Sequence, residues 1–116
     1  MKNVKFSYLY RDGSNYKKWG EIVFSNREEV AIEEIDSRLR QSFESEEFFV
    51  AHQIQIPEVF LYADGKVTEY DHCFHAFSAI ELTDDPPNDK RQRSISSFVQ
   101  QVESESRRGW ICLQSL

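Results

Sequence analysis

The sequence is poor in the residues that build many cofactor sites. Its four glycines are widely separated, so no glycine-rich loop is present to hold the phosphate groups of a nucleotide. Its two cysteines, Cys73 and Cys112, lack the Cys-x-x-Cys spacing of thiolate zinc sites and redox pairs. The sequence therefore argues against nucleotide-dependent catalysis, and we expect two free thiols, as in a reducing compartment.

Long hydrophobic runs are also missing. No apolar segment approaches the roughly 20 residues that cross a bilayer. The first residues, 1–5, lead into an alternating segment and contain no apolar stretch of the kind found in signal peptides. We expect a cytoplasmic protein that does not bind membranes.

The composition that remains is typical of a folded domain. Hydrophobic residues make up 40% of the chain, charged residues 29% and aromatic residues 14%. A length of 116 residues is sufficient for one hydrophobic core but not for two. We predict one domain over residues 1–116.

Charge is distributed unevenly along the chain. The net charge is −6, but residues 1–26 and 90–116 are each net positive and residues 27–89 are strongly negative. Because affinity for nucleic acid comes mainly from Lys and Arg, the overall acidity makes a nucleic-acid partner improbable. The separation of charge favours a binding protein over an enzyme.

Hydrophobic periodicity predicts an α+β fold. Residues 32, 35, 39 and 43 form one apolar stripe of a helix over 25–43, whose start can shift to Ile32, and a second stripe indicates a helix over 94–108 that stops at Gly109. Alternation predicts an N-terminal hairpin, and Phe74, Ala76, Ser78, Ile80 and Leu82 share one side of a late strand. The predicted strands are 4–10, 19–24, a broken segment at 48–56, 59–62 and 74–82, with a further short strand open at 110–113.

The predicted architecture follows from this order, which is β-β-α-β-β-β-α. Consecutive strands joined by short turns pair antiparallel. Two helices with one apolar stripe each cover a single face of such a sheet. We predict a two-layer sandwich with a mainly antiparallel sheet of four to five strands and both helices on one face, while residues 84–93 are predicted to be a solvated loop.

One histidine cluster suggests metal chemistry. Asp71, His72 and His75 bring a carboxylate and two imidazoles together, and these are ligands of zinc and similar divalent metals. On a helical turn the two histidines converge, whereas on a strand they point to opposite faces. His52 or Glu69 would complete the ligand set of a metal-dependent enzyme or metal-binding protein.

Other catalytic arrangements are not evident. The adjacent carboxylates at 28–29, 33–34, 46–47 and 84–85 lie where a solvated surface is predicted, and no Gly-x-Ser-x-Gly elbow is present. The sequence indicates no cofactor other than a divalent metal at the histidine cluster.

Aromatic residues in the basic N-terminal hairpin suggest an interaction surface. Trp, Tyr and Arg dominate protein–protein hot spots, and a sheet covered on one face leaves the other open. The same residues, helped by Lys5, Lys17 and Lys18, would also suit stacking of single-stranded bases. The candidate partner-binding residues are Tyr8, Tyr10, Tyr16 and Trp19.

We therefore expect a non-catalytic interaction or regulatory module that binds a protein partner or forms a homo-oligomer, through a sheet face or the acidic surface. The alternatives are the metal hypothesis at 71–75 and single-stranded nucleic-acid binding by the hairpin.

Overall fold

The computed structural model describes residues 2–11, 17–59 and 74–110. Within them the elements are β1 (Asn3–Arg11), β2 (Lys17–Phe24), α1 (Ile32–Ser42), β3 (Phe48–Phe49), a 3₁₀ helix (Ala51–Ile54), β4 (His75–Thr83) and α2 (Ile95–Arg108). Except for Val59, the strand predicted at 59–62 lies outside the described residues, and so does 111–113 of the predicted terminal strand.

The predicted α+β class is confirmed. Four antiparallel strands form one sheet in the order β2-β1-β4-β3. The buried residues of both helices join the same core cluster as Val4, Phe6 and Tyr8 of the central strand, so both helices lie on one face of the sheet. Neither helix is long and apolar enough to cross a membrane within the ranges described.

Phe6 of β1 is at the centre of this core and is fully buried. Its ring centroid lies 5.2–6.4 Å from those of Tyr8, Phe43, Phe49, Phe77 and Phe98. These rings come from the sheet, from the end of α1 and from α2. One side chain therefore connects both layers of the sandwich.

A β-bulge in β4 corrects the predicted alternation of that strand. Ser7 of β1 pairs with Ala79 but the next residue, Tyr8, pairs with Phe77, so Ser78 is an extra residue in the ladder. Because one inserted residue exchanges the two faces, Phe77 enters the core in place of Ser78 and His75 becomes fully buried. The prediction that residues 74–82 keep one continuous apolar side was wrong for this reason.

Two other segments differ from their predictions. Helix α1 begins only at Ile32, the later of the two predicted starts, because the Asn26 side chain closes a turn by bonding both the N–H and the C=O of Val30. Of the segment 48–56, only Phe48–Phe49 is a strand, and Ala51–Ile54 is a 3₁₀ helix. Helix α2 follows its prediction, with Ser94 capping its start and Gly109 ending it at φ 99°.

The loop at 84–93, predicted to be solvated, contains a buried ion pair. The Arg93 and Asp89 side chains are only 7% and 3% exposed, and Arg93 Nη2 lies 2.9 Å from Asp89 Oδ1. Burial by itself would raise the pKa of Asp89, but hydrogen bonds from the Arg93 side chain and backbone outweigh it and the pKa is lowered. The loop is thereby fixed against the core.

A second ion pair joins the two helices. Arg38 of α1 donates from Nε and Nη2 to the two carboxylate oxygens of Glu103 in α2, at 3.0 and 2.8 Å. These hydrogen bonds hold the pKa of Glu103 below its ordinary value. The pair is half-buried, so its contribution to stability is about 1 kcal/mol or less.

This lowered pKa predicts an acid-sensitive contribution to stability. A carboxylate whose pKa is lower in the folded chain stabilises the fold above its unfolded pKa of about 4.3, and this contribution is lost as the pH falls through the folded value. We expect Glu103→Gln to be less stable than wild type at pH 7 and the difference to shrink progressively as the pH falls below about 4.3. Urea unfolding of both proteins across that range measures it, and a difference independent of pH would contradict it.

Candidate functional site

Among the residues that the structure describes, the outer edge of β2 is open over part of its length. At its C-terminal end, the Val23 N–H donates to Asn88 Oδ1 at 2.8 Å and the Val23 C=O accepts from the Asn88 N–H at 3.0 Å. Both backbone groups of Val23 therefore point away from β1. The edge is closed at this position by the loop that contains the buried ion pair.

The direction of the remaining backbone groups follows from the register. Pairing between β1 and β2 runs without a shift from Val4–Phe24 to Arg11–Lys17. Since alternate residues of a strand point their N–H and C=O groups to the same side, those of Lys17, Trp19 and Glu21 also point outward. No residue in the described ranges bonds to these groups, so residues 17–21 form an open edge.

Trp19 is the most exposed large hydrophobic residue among those described, at 58%. It pairs across the strands with Leu9, so its side chain lies on the sheet face opposite the helices. Lys17 and Glu21, both exposed, share that face because they are two residues away on either side. We call residues 17–21 the β2 edge.

The tyrosines predicted to accompany Trp19 are placed differently. Tyr8 and Tyr10 are 1% and 0% exposed, and both rings lie on the helix side of the sheet, close to His75. Their expected place in an exposed aromatic patch is therefore corrected: a residue buried in the core cannot contact a partner. Tyr16 lies outside the described residues.

Gly20 explains how Tyr8 fits beneath the edge strand. A Cβ at Gly20 would lie 2.7 Å from Tyr8 Cζ, so only glycine lets the ring pass this close. The Tyr8 hydroxyl donates to the Pro57 carbonyl oxygen, and burial raises the pKa of Tyr8 well above its usual range. The inner side of β2 is thus tightly packed, while its outer edge is open.

A second stretch of edge lies on β4, beyond the two-residue strand β3. The backbone N–H and C=O of Lys5 point toward β4, where Lys5 pairs with Glu81. The backbone groups of the neighbouring Ile80 and Leu82 therefore point away from β1, and no described residue bonds to them. Leu82 is 50% exposed. The adjacent side chains are acidic, with Glu81, Asp84 and Asp85 all exposed.

The histidine cluster is only partly described. Asp71 and His72 lie outside the described residues, and within them no group of three or more His, Cys, Asp or Glu side chains converges as metal ligands do. His75 is fully buried, and its Nε2 accepts a hydrogen bond from the Val59 N–H at 3.0 Å. In this arrangement the Nε2 lone pair is occupied, so His75 would have to break this bond to bind a metal through Nε2. The metal hypothesis remains a prediction.

One groove was not predicted from the sequence. It has a volume of about 670 Å³ and lies between the 3₁₀ helix and α2, with His52, Glu58, Glu105 and Arg108 in its lining. Glu105 already accepts from Gln53 at 3.0 Å and lies 3.3 Å from Arg108. The described lining contains no Ser, Thr, Cys or Lys side chain that would serve as a nucleophile. The groove is open to solvent and lined by both polar and apolar groups, unlike the enclosed and mostly apolar sites that bind small molecules.

The four pairs of adjacent carboxylates lie on the protein surface. All eight are exposed, and Asp84 lies 2.7 Å from the Lys2 ammonium group, whose hydrogen bond lowers the pKa of Asp84. No acid–base pair in a shared buried environment is found among them. Among the candidate sites in the described part of the chain, the β2 edge is therefore the one whose geometry best suits binding.

The fold and this edge define a class of protein, a two-layer α+β domain with an open edge strand. The chain matches no protein-family model, and no curated protein or solved structure is significantly similar to it.

Proposed function

We propose that this chain is a non-catalytic interaction module that binds a protein partner through the β2 edge. One observation carries the proposal: the outward N–H and C=O groups of Trp19 and Glu21 lack bonding partners in the described residues, beside an indole that is 58% exposed. Unpaired edge groups are a template for an added strand from another chain.

The residues of the edge suit strand addition. Backbone hydrogen bonds supply affinity that does not depend on the partner's sequence, and side chains that flank the edge supply specificity. Trp19 provides the large apolar contact typical of hot spots. Lys17 and Glu21 provide one charge of each sign, so a partner strand is selected by its charge pattern as well as by its shape.

A protein partner is favoured over single-stranded nucleic acid. Lys5, one of the three lysines expected to help bind nucleic acid, lies 3.9 Å from Glu81 and 3.8 Å from Asp85. Its charge is thereby compensated. The Glu21 carboxylate beside Trp19 would repel a phosphate backbone.

Site-specific photo-crosslinking in cells tests the proposal. A benzophenone amino acid replaces Trp19, and in a control protein it replaces Ser37, an exposed residue of α1. We expect a discrete adduct from position 19 but not from position 37. Combining the label with Glu21→Pro should remove the adduct, because proline deletes an outward N–H that the β1–β2 ladder does not use. The absence of any adduct specific to position 19 and sensitive to Glu21→Pro would overturn the proposal.

A further inference from the structure

We infer that the partner at the β2 edge is a second copy of this chain, paired antiparallel through β2 about a twofold axis at Trp19. This inference rests on the proposed function and specifies the partner. It follows from the length of the open edge, from the direction of its backbone groups and from the order of its charges.

Within the described residues, one antiparallel register uses the whole open edge. Asn88 closes the edge at Val23, so the part of the edge that is open within the described residues is 17–21. An isologous pairing that uses this whole window places Trp19 opposite Trp19 of the second copy and Lys17 opposite its Glu21. A register centred on Gly20 would require Val23, whose backbone groups are already bonded.

The backbone directions agree with this register. In an antiparallel pair, directly opposite residues exchange both hydrogen bonds only when their N–H and C=O groups face each other. The backbone N–H and C=O groups of Lys17, Trp19 and Glu21 all point away from β1. Each of the three cross-strand pairs would thus exchange two backbone hydrogen bonds, and Gly20 would lie opposite Lys18 of the second copy.

The charges are self-complementary in the same register. Lys17 and Glu21 lie on one sheet face on either side of Trp19, so twofold symmetry forms the Lys17–Glu21 pair twice. Two exposed indoles would meet at the centre, where aromatic cross-strand pairs add stability. The interface would therefore have an aromatic centre between two ion pairs.

The β4 edge does not offer this complementarity. The two residues whose backbone groups point outward there, Ile80 and Leu82, are apolar. The exposed acidic residues Glu81, Asp84 and Asp85 lie beside them. Lys2 and Lys5 offset only two of these three negative charges in each chain, so two copies joined there would still bring excess negative charge together, which destabilises a sheet contact. Within the described residues, only the β2 edge combines open backbone groups with charges of both signs in a symmetric order.

A charge-exchange experiment tests this register. Sedimentation equilibrium should show that the wild-type chain forms dimers at high concentration. Lys17→Glu places two carboxylates opposite each other in both pairs, and Glu21→Lys does the same with two ammonium groups. We expect each variant alone to have a dimer Kd raised by about tenfold or more.

Mixing the variants provides the decisive measurement. A Lys17→Glu chain paired with a Glu21→Lys chain restores an opposite-charge pair at both positions, so the mixture should form heterodimers close to wild-type affinity. Lys18→Glu is the matched control: it makes the same change of charge one residue away, opposite a glycine, and should leave the Kd within about twofold.

The outcomes separate this inference from the proposed function. A wild-type chain that stays monomeric at every concentration, or a dimer insensitive to Lys17→Glu, overturns the second-copy inference. If the position-19 adduct in cells then has a mass other than two chains and is lost with Glu21→Pro, the proposed function stands with a different partner. If no such adduct forms, both fail.

Discussion

Replacing Arg93 with methionine is expected to lower the free energy of unfolding by about 3–5 kcal/mol. Arg93 donates all five of its side-chain N–H groups to acceptors in the protein. Asp89 accepts two of these bonds, and the others go to the carbonyl oxygens of Ile54 and Gln55 and to the Gln101 side chain. Methionine fills similar space but leaves a carboxylate buried without its partner.

The guanidinium group is also packed between rings. It lies 5.7 Å from the ring centroid of Phe24 and 5.2 Å from that of Phe98, on the two sides of the interface between β2 and α2. Lysine cannot reproduce five directed donors, so Arg93→Lys should also lose stability. The expected loss comes from unsatisfied buried groups more than from the ion pair itself.

Equilibrium unfolding in urea measures these effects. Lys2→Ala removes an exposed ion pair with Asp84 and is the control, with an expected change below about 1 kcal/mol. Asp89→Asn should cost less than Arg93→Met, because the amide still fills the site and accepts part of the network. If Arg93→Met and Lys2→Ala have equal effects, the buried network contributes nothing specific.

Replacing Phe6 with alanine is the second change with a large expected effect, about 3–5 kcal/mol. The ring is fully buried and contacts five other aromatic rings from both layers. Removing it leaves a cavity that neighbouring rings fill only in part. Phe6→Leu retains most of the volume and should cost clearly less.

Trp19→Ala is the matched control for the loss of an aromatic side chain from the sheet. Because Trp19 is 58% exposed, its removal should change the unfolding free energy of dilute protein by only about 1 kcal/mol, well below the change expected for Phe6→Ala. The same change should weaken partner binding at the β2 edge. A large loss of monomer stability in Trp19→Ala would contradict the assignment of this side chain to the interaction surface.

The buried network and the β2 edge are connected through one loop. Arg93 and Asp89 anchor residues 84–93, and Asn88 in that loop closes the edge at Val23. A loop without this anchor would leave more of β2 open. The position of the open window, and with it the register of any added strand, therefore depends on an ion pair far from Trp19 in the sequence.

Several features of the fold were predictable from local pattern. The apolar stripes ending at Phe43 and containing Phe98 and Val102 correspond to real helices, because a helix can bury only side chains on one face. The pairing of β1 with β2 follows from the alternation of apolar residues, while residues 12–16 between them lie outside the described residues. Each of these predictions depends only on residues that lie close together in the sequence.

The candidate site was only partly predictable. Trp19 lies on the face away from the helices, as its alternation with the core residues Ile22 and Phe24 indicates. Tyr8 and Tyr10, two of the candidate partner-binding residues, are instead buried in the core. Their alternation with Ser7 places both tyrosines on the same face of β1, but it does not show whether the helices cover that face.

The sequence by itself determined the α+β class, the two helical stripes and the uneven charge, since each depends on composition or on short-range periodicity. Only the tertiary structure decided which part of which edge is open, that a bulge at Ser78 turns Phe77 and His75 inward, and that Arg93 and Asp89 are buried. The physical reason is the same in each case. Strand pairing, burial and closure of an edge depend on contacts between residues that are distant in the chain, such as the hydrogen bond between Val23 and Asn88. A local sequence pattern does not predict such contacts.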